Sequence, residues 1–518
     1  MSRRLLKATA TVGGMTMFSR VLGFVRDVLF ARLFGADGGT DAFFVVFKIP
    51  NFLRRLFAEG AFQQAFVPVL SEYRETRSRE ELREFIDNMA GVLMAVLFLV
   101  TALGVAAAPL MILLFAPGFS GDAAQLALAE QMLRITFPYL LFISLTAFAS
   151  SLLNAFGKFA IPALTPIWLN VALIGAALGL APLMSDPMLG LAWGVFIAGV
   201  VQLFFQLPFL ARLGLLPRPR FHLRHAGVIK TVKLMAPAIF GASVTQINLL
   251  LDTVIASFLI AGSVTWLYYS DRLVELPLGV FGVALATVIL PRLSREFARQ
   301  TQDEFNRTLD WSLRMTLLIA VPATLGLILF GAAILATLFQ YGAFDTEDTR
   351  MVSLALMAYA AGLPAFLLIK VLAPGFYARQ DTATPVKIGL IAVFSNIGFK
   401  IVLVLPWISL GFAAAHAGLA LATALAAWVN AGLLGWALRR RGLYRPGAGW
   451  PALLLQLAGG SLAMIAFAVL ALPEQARWDE WGLAWRALTL TGLLAGAAAS
   501  FFLAALALGL RPSVLRRG

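Results

Sequence analysis

The sequence predicts an all-α fold: a polytopic integral membrane protein of about fourteen transmembrane helices, arranged as two six-helix lobes related by a parallel repeat plus two extra C-terminal helices. Three observations predict it. The 518 residues are 60% hydrophobic and 13% charged, with mean hydropathy +0.85, whereas a soluble domain carries about 25% charged residues. Apolar runs of about twenty residues recur, the length of a membrane-crossing helix, in place of the roughly ten-residue alternating segments of a barrel. Lys and Arg gather in alternate connections, as they do in a chain that re-crosses the bilayer.

The elements follow in order. Arg3, Arg4 and Lys7 precede an apolar stretch that contains Arg20 and runs into "VLGFVRDVLFARLFG" without a convincing cleavage site, so it reads as a first span near 8–33. A charged second span near 41–71 leads to the basic connection "EYRETRSREELRE". Spans near 85–115 and 127–155 flank "APGFSGDAAQLALAE", which has no Lys or Arg. Lys158 precedes spans near 160–182 and 188–211, which are joined by the non-basic "APLMSDPM". The basic "RLGLLPRPRFHLRHAGVIKTVK" then opens a series near 234–260, 264–291, 314–338, 350–376, 385–405, 411–438, 450–472 and 485–510. The poorly basic side holds Arg32, Arg350, Arg477 and Arg486. This alternation predicts cytoplasmic N- and C-termini and assigns most of the net charge of +14 to topology, with no need for nucleic acid. The chain has no cysteine, which removes disulfides, thiolate metal sites and cysteine nucleophiles.

An offset of about 223 residues lays "GGTDAFF…FVPVLSEY" over "AGSVTWL…ILPRLSREF", matching Gly39 to Gly262, Pro68 to Pro291 and Ser71 to Ser294. Six spans per copy is an even number, so both copies point the same way, the parallel arrangement from which two-lobed transporters are built. The domain boundaries expected on this basis are 1–215, 216–445 and 446–518, the last holding spans outside the repeat.

Charges inside the spans are the informative residues. On a helix turning about 100° per residue, Asp41, Arg55 and Glu59 fall within about 20° of Lys48, with Arg54 about 120° away and Pro50 a source of bending. In the first span Arg20 and Asp27 share a face at i,i+7, with Arg26 displaced; the eighth carries Asp271, Arg272 and Glu275 in "YYSDRLVE". Each ionised group at mid-bilayer costs about 2.5–3.5 kcal/mol on insertion scales, so the set is expected to face water or partners. Internal pairing, as Arg55 with Glu59 or Arg26 with Asp27, and snorkelling are the plain alternatives. Spans one and two, however, hold Arg20, Arg26, Lys48, Arg54 and Arg55 against Asp27, Asp41 and Glu59, and the surplus calls for an anion. Arg suits phosphate, because its planar fork donates two parallel hydrogen bonds and keeps its charge when desolvated.

Other residues carry less. Asp252 is a candidate cation ligand, with an ion pair or exposure to water as alternatives; Lys370 and Lys400 are expected to snorkel, and Asp381 to open a helix. Three histidines outside any motif, and acids mostly beside Arg, give no constellation for an intramembrane enzyme, so none is expected. No cofactor is expected. No nucleotide-binding domain is legible, so transport is expected to draw on an ion gradient (a monovalent cation), the membrane potential or consumption of product. A MATE-like exporter of drugs or cations is a rival, but it calls for a cavity rich in acids and aromatics.

The stretches "MTMFSRVLGFVRDVLFARLFGA", "TDAFFVVFKIPNFLRRLFAEGAFQQAFVPVLSEY", "YYSDRLVELPLGVFGVALATVILPRLS" and "VLAPGFYARQDTATPVKI" closely resemble the MurJ (MviN) family of lipid II flippases, of the MOP exporter superfamily. The resemblance spans nearly the whole chain. It implies a bacterial inner-membrane protein of peptidoglycan synthesis whose partners are lipid II, bilayer lipids and the cell-wall synthesis machinery. It also implies a diphosphate-binding set at Arg20, Arg26, Arg54 and Arg272, with Asp41, Arg55 and Glu59 at further charged family positions; Asp27, Lys48, Asp271 and Glu275, read from the spans themselves, complete the supporting charges expected in the cavity. The two C-terminal spans are expected to form a lipid-tail groove. A flippase for another polyprenyl-diphosphate glycan fits the same residues.

Overall fold

The computed structural model describes residues 3–55 and 62–510, with the side chains of 3–11, 236, 238–249 and 283–288 outside that description. The described residues are helices and connections, with no strand among them. In chain order these are α1 (Arg3–Phe34), α2 (Gly38–Leu53), α3 (Gln63–Thr76), α4 (Arg79–Ala106), α5 (Ala108–Phe115), α6 (Ala123–Thr136) and α7 (Tyr139–Ala155). Next come α8 (Ala160–Gly175), α9 (Pro187–Arg212), α10 (Ala226–Ala256), α11 (Ser263–Pro277), α12 (Val283–Ala298) and α13 (Gln302–Leu338). The chain continues through α14 (Thr346–Ala360), α15 (Leu363–Tyr377), α16 (Ala383–Ser409), α17 (Ala415–Arg440), α18 (Trp450–Ala471), α19 (Gln475–Glu480) and α20 (Leu483–Ala507).

Among the described residues, 10 helical stretches are long and apolar enough to cross a membrane, three of them composites such as Ala123–Ala155, where α6 and α7 meet at Pro138. The other four segments predicted to span are helical as well. They are α1, α2 with α3, α10, and α11 with α12, and they carry the charges singled out above.

Polar caps set where the helices begin. Asp37 accepts from Thr40 N at 2.8 Å and Thr40 Oγ1 answers the Asp37 amide at 2.8 Å, a reciprocal box opening α2. Ser78 with Glu81 opens α4 the same way, and Asp345 with Asp348 opens α14. These caps also expose the repeat. Displaced by the same offset of about 223 residues, Asp122 and Asp345 each cap a helix, α6 and α14. Gly157 and Gln380, at that offset too, both take positive φ, 74° and 61°, in the turns before α8 and α16. Such a backbone is costly for a residue with a Cβ, so its presence at Gln380 shows the turn geometry outlasting the glycine.

Among the described residues, the predicted second span is not one regular α-helix. Pro50 lies within α2, and the chain turns π-helical at Arg54 and Arg55. A π turn shifts the angular phase, so the projection that set Arg55 on the face of Lys48 does not extend past Leu53. Lys400 also departs from expectation: it is 1% exposed within α16 and does not snorkel.

The chain forms two compact units, Met1–Val264 and Thr265–Gly518. The first contains α10, which packs on α3, α4 and α5. The repeat marks 215/216 as a boundary of sequence symmetry, whereas contacts assign α10 with the helices before it. One core of this unit gathers Phe62, Phe66, Phe85, Phe148 and Leu152 from α3, α4, α7 and the residue before α3. In the second unit, one core joins α12, α13, α15 and α17, and another joins α13 to α18, α19 and α20.

Candidate functional site

In the first unit, α1 carries two arginines with different surroundings. Arg20 is exposed and lines a cavity of about 520 Å³ beside α7 and α8, where Thr16, Ser19 and Asn154 supply polar wall and Pro162 and Pro166 apolar wall. Arg26, less than two turns on, is 4% exposed. Its Nε and Nη2 donate to Asp27 Oδ1 at 3.0 and 2.6 Å, its Nη1 donates to Asn170 Oδ1 at 3.1 Å, and its guanidinium lies 5.8 Å from the Phe30 ring. Asn170 is itself fixed by donating to Ser19 O at 3.1 Å. Neighbours on a helix do not face one another, but the guanidinium arm is long enough to curl round to the adjacent carboxylate. Asp27, 2% exposed, therefore serves Arg26, and the predicted Arg20–Asp27 face is divided between cavity and interior.

On α2, Asp41 is 2% exposed and accepts from the Gly262 amide at 2.8 Å. Lys48, half-buried, reaches Thr253 Oγ1 at 3.5 Å. Both contacts tie α2 to the end of α10 and the turn after it. Arg54 is half-buried with Nε 3.3 Å from Asn51 Oδ1, Arg55 is exposed, and Glu59 lies outside the described residues. Asp252 is half-buried on α10.

In the second unit, Arg272 is half-buried on α11. Its Nη1 donates to Glu275 Oε2 at 3.2 Å, its Nη2 donates to the Tyr268 hydroxyl at 3.1 Å, and the guanidinium lies 5.0 Å from the Tyr268 ring. With side chains 37% and 54% exposed, the Arg272–Glu275 pair is a weak one that an anionic ligand can displace. Asp271 is exposed.

The arrangement sorts the predicted residues by chemistry. Arg26 with Asp27, and Asp41 with Gly262, are internal fastenings. Arg20, Arg54, Arg55 and Arg272 keep exposed or half-buried positions from which a planar donor fork can meet an anion. Sequence reasoning missed Asn170, Thr253, Gly262 and Tyr268 as partners. Tyr268 had a signal in its i−4 spacing from Arg272, and Asn170 in being a lone amide within "PIWLNVALIG". Thr253 and Gly262 had none.

The family model for "Lipid II flippase MurJ" matches residues 30–489. A "Probable lipid II flippase MurJ" of Vibrio cholerae is 46% identical over 517 residues, covering 98% of this chain and 97% of that protein. A "Lipid II flippase MurJ" of Burkholderia cenocepacia is 44% identical over 468 residues, covering 89% of each. Among solved structures, "Lipid II flippase MurJ, inward closed conformation" is similar with a TM-score of 0.77 at 28% identity, covering 95% of this chain and 98% of that one. An inward-facing MATE family transporter of the MOP superfamily shares the fold with a TM-score of 0.66 at 14% identity, covering 84% of this chain and 98% of that one.

Proposed function

The chain belongs to the MurJ family of lipid II flippases, and from that premise we propose that Arg20, Arg26, Arg54 and Arg272 serve the diphosphate of lipid II during translocation. The protein is a multi-pass membrane transporter, not an enzyme, and lipid II is its substrate. The substrate moves from the cytoplasmic to the periplasmic leaflet of the inner membrane, with both protein termini cytoplasmic, the orientation that the distribution of basic residues supports.

The observation that carries the assignment is the contrast within α1. Arg20 lies on a cavity with hydroxyl and amide groups beside it, while Arg26 is engaged by Asp27 and Asn170. Arg20 is therefore the first point of capture. Arg54 and Arg272, both half-buried, take over as access alternates between the two sides of the membrane. Arg26 joins when the diphosphate competes with Asp27 for its donors. A diphosphate carries about two negative charges, and successive guanidinium forks let it cross without meeting bare hydrocarbon. Glu275 and Asp27 hold the empty arginines in place and return to them as substrate leaves. Asp41, Lys48, Arg55, Glu59 and Asp271 set the surrounding charge. The polyprenyl tail stays in lipid along α18 and α20. The membrane potential, or a monovalent cation at Asp252, resets the carrier, and cell-wall synthesis enzymes and bilayer lipids are the surrounding partners.

The test is complementation of a strain depleted of its lipid II flippase, comparing the parent with Arg20→Ala, Arg54→Ala and Arg272→Ala at matched membrane abundance. Rescue by the parent and failure of the variants is expected; full rescue by all three overturns the residue assignment.

A further inference from the structure

Helix α13 runs 37 residues, about 55 Å at 1.5 Å per residue, well beyond the ~30 Å hydrocarbon layer. Its two ends are each fastened to the C-terminal helices by polar contacts. Near its start, Asp310 gathers the connection between α17 and α18 onto one carboxylate. Oδ1 accepts from the Tyr444 hydroxyl at 2.6 Å, Trp450 Nε1 at 2.7 Å and the Gly447 amide at 3.1 Å, while Oδ2 pairs with Arg314 at 2.8 Å. Arg314 in turn donates to Ala448 O at 2.8 Å, and its guanidinium lies 5.4 Å from the Trp450 ring. One turn earlier Asn306 grips the Arg445 backbone twice, donating to its carbonyl at 2.8 Å and accepting from its amide at 2.6 Å. The connection is shaped for this. A Cβ at Gly447 would lie 2.9 Å from Asp310 Oδ2, and Gly449 has φ 95°.

The far end of α13 is held as firmly. Arg486, on α20 and 5% exposed, donates to the carbonyls of Ala336 and Gln340 at 2.7 and 3.1 Å, placing a cation where the helix leaves acceptors unsatisfied. Gln340 Nε2 donates to Asp479 Oδ1, on α19, at 2.5 Å. Between the two ends, Leu318, Phe330 and Ala333 of α13 pack in one core with Leu457, Trp478 and Phe501. Among the described residues, α18 and α20 pack on each other and on α13.

We propose that Asp310 is a positioning residue for translocation: it fastens α18, α19 and α20 to α13, so that these four helices travel as one body through the transport cycle. Nothing slides at this interface when access alternates. To leave this attachment the four helices would have to break a carboxylate clasp at one end, an arginine clasp at the other and the core between them together, because close-packed interfaces do not deform smoothly.

The natural absence of cysteine gives a clean test. Asn306→Cys/Arg445→Cys and Gln340→Cys/Asp479→Cys proteins are bridged with a short bis-methanethiosulfonate, each cysteine thiolate displacing a sulfinate to form a reducible disulfide, and lipid II translocation is measured before bridging, after it and after reduction. Translocation within about twofold of the untreated variant is expected at both bridges. A fall of tenfold or more that reduction reverses overturns the proposal. The second arm asks what Asp310 supplies. Asp310→Ala is expected to lose at least tenfold in translocation, and the 306–445 bridge, installed in that background, to restore it. If the bridge forms and restores nothing, Asp310 acts through its own charge or proton and is not a fastening. Should Asp310→Ala not accumulate, the bridges in the parent background still decide the matter. The readout rests on the flippase function, and the two failures separate: an untreated parent that moves no lipid II sinks that function, whereas an active variant stopped by bridging sinks only the rigid attachment.

Discussion

Asp41 and Gly262 are 221 residues apart and joined by a 2.8 Å hydrogen bond from the glycine amide to the carboxylate, at the start of α2 and the turn between α10 and α11. The internal repeat sets Gly262 opposite Gly39, two residues before Asp41, so the turn of one copy is tied to the corresponding turn of the other. Asp41→Ala removes the acceptor and leaves a buried amide without it. A charge-assisted bond of this kind is worth about 1.5–3 kcal/mol. The detergent-solubilised protein is expected to lose that much stability, with Asp41→Asn retaining most of it; equal melting temperatures for Asp41→Ala and the parent would show that the bond contributes nothing.

Arg26 and Asp27 are 4% and 2% exposed, so breaking their pair strands a charge in a medium that solvates it poorly. Arg26→Met and Asp27→Leu are each expected to cost about 3–5 kcal/mol, and the double substitution less than either alone. Thermal unfolding of the three proteins provides the comparison. Additive losses in the double variant contradict the pairing.

Gly91 of α4 lies under the connection that leads to α10. Asp87, one turn earlier, accepts from the amides of Arg218 and Arg220 at 2.8 and 3.0 Å, and this draws the connection so close that a Cβ on Gly91 would sit 2.1 Å from Arg220 O. Backbone cannot swing aside as a flexible side chain can. Gly91→Ala should therefore destabilise by about 1–3 kcal/mol through overpacking. Gly389→Ala, where the added carbon meets nothing within 4 Å, is the control and should be neutral or slightly stabilising. Matching melting temperatures for Gly91→Ala and the control would refute the tight approach.

Tyr444 lies in the connection between α17 and α18. Burial, followed by the hydrogen bond to Asp310, pushes its phenol well above the ordinary value of about 10. A raised folded value means the contribution to stability is fully present below the unfolded pKa near 10 and fades as pH climbs through and beyond it. Tyr444→Phe has no phenol to ionise. Melting curves from pH 8 to 11 should show the parent losing stability on the alkaline side more steeply than Tyr444→Phe, and parallel limbs would rule the linkage out.

Much of this was legible without coordinates. The helix opener Asp381, the alternating basic connections and the apolar runs are local or collective properties, and each run of sequence states its own preference for hydrocarbon, so the all-helical membrane fold could be read directly. Arg20 and Arg272 stood out because an ionised group in an apolar run is costly wherever it ends up. The division of labour among the charges was not legible. The sequence could not show that Arg26 is closed by Asn170, 144 positions away, that Asp41 is spent on a backbone amide, that Lys400 is interior, or that Asp310 collects three groups from a distant connection. The tertiary structure decided these, because transfer from water is summed along neighbouring residues whereas a hydrogen bond depends on which remote segment comes within about 3 Å.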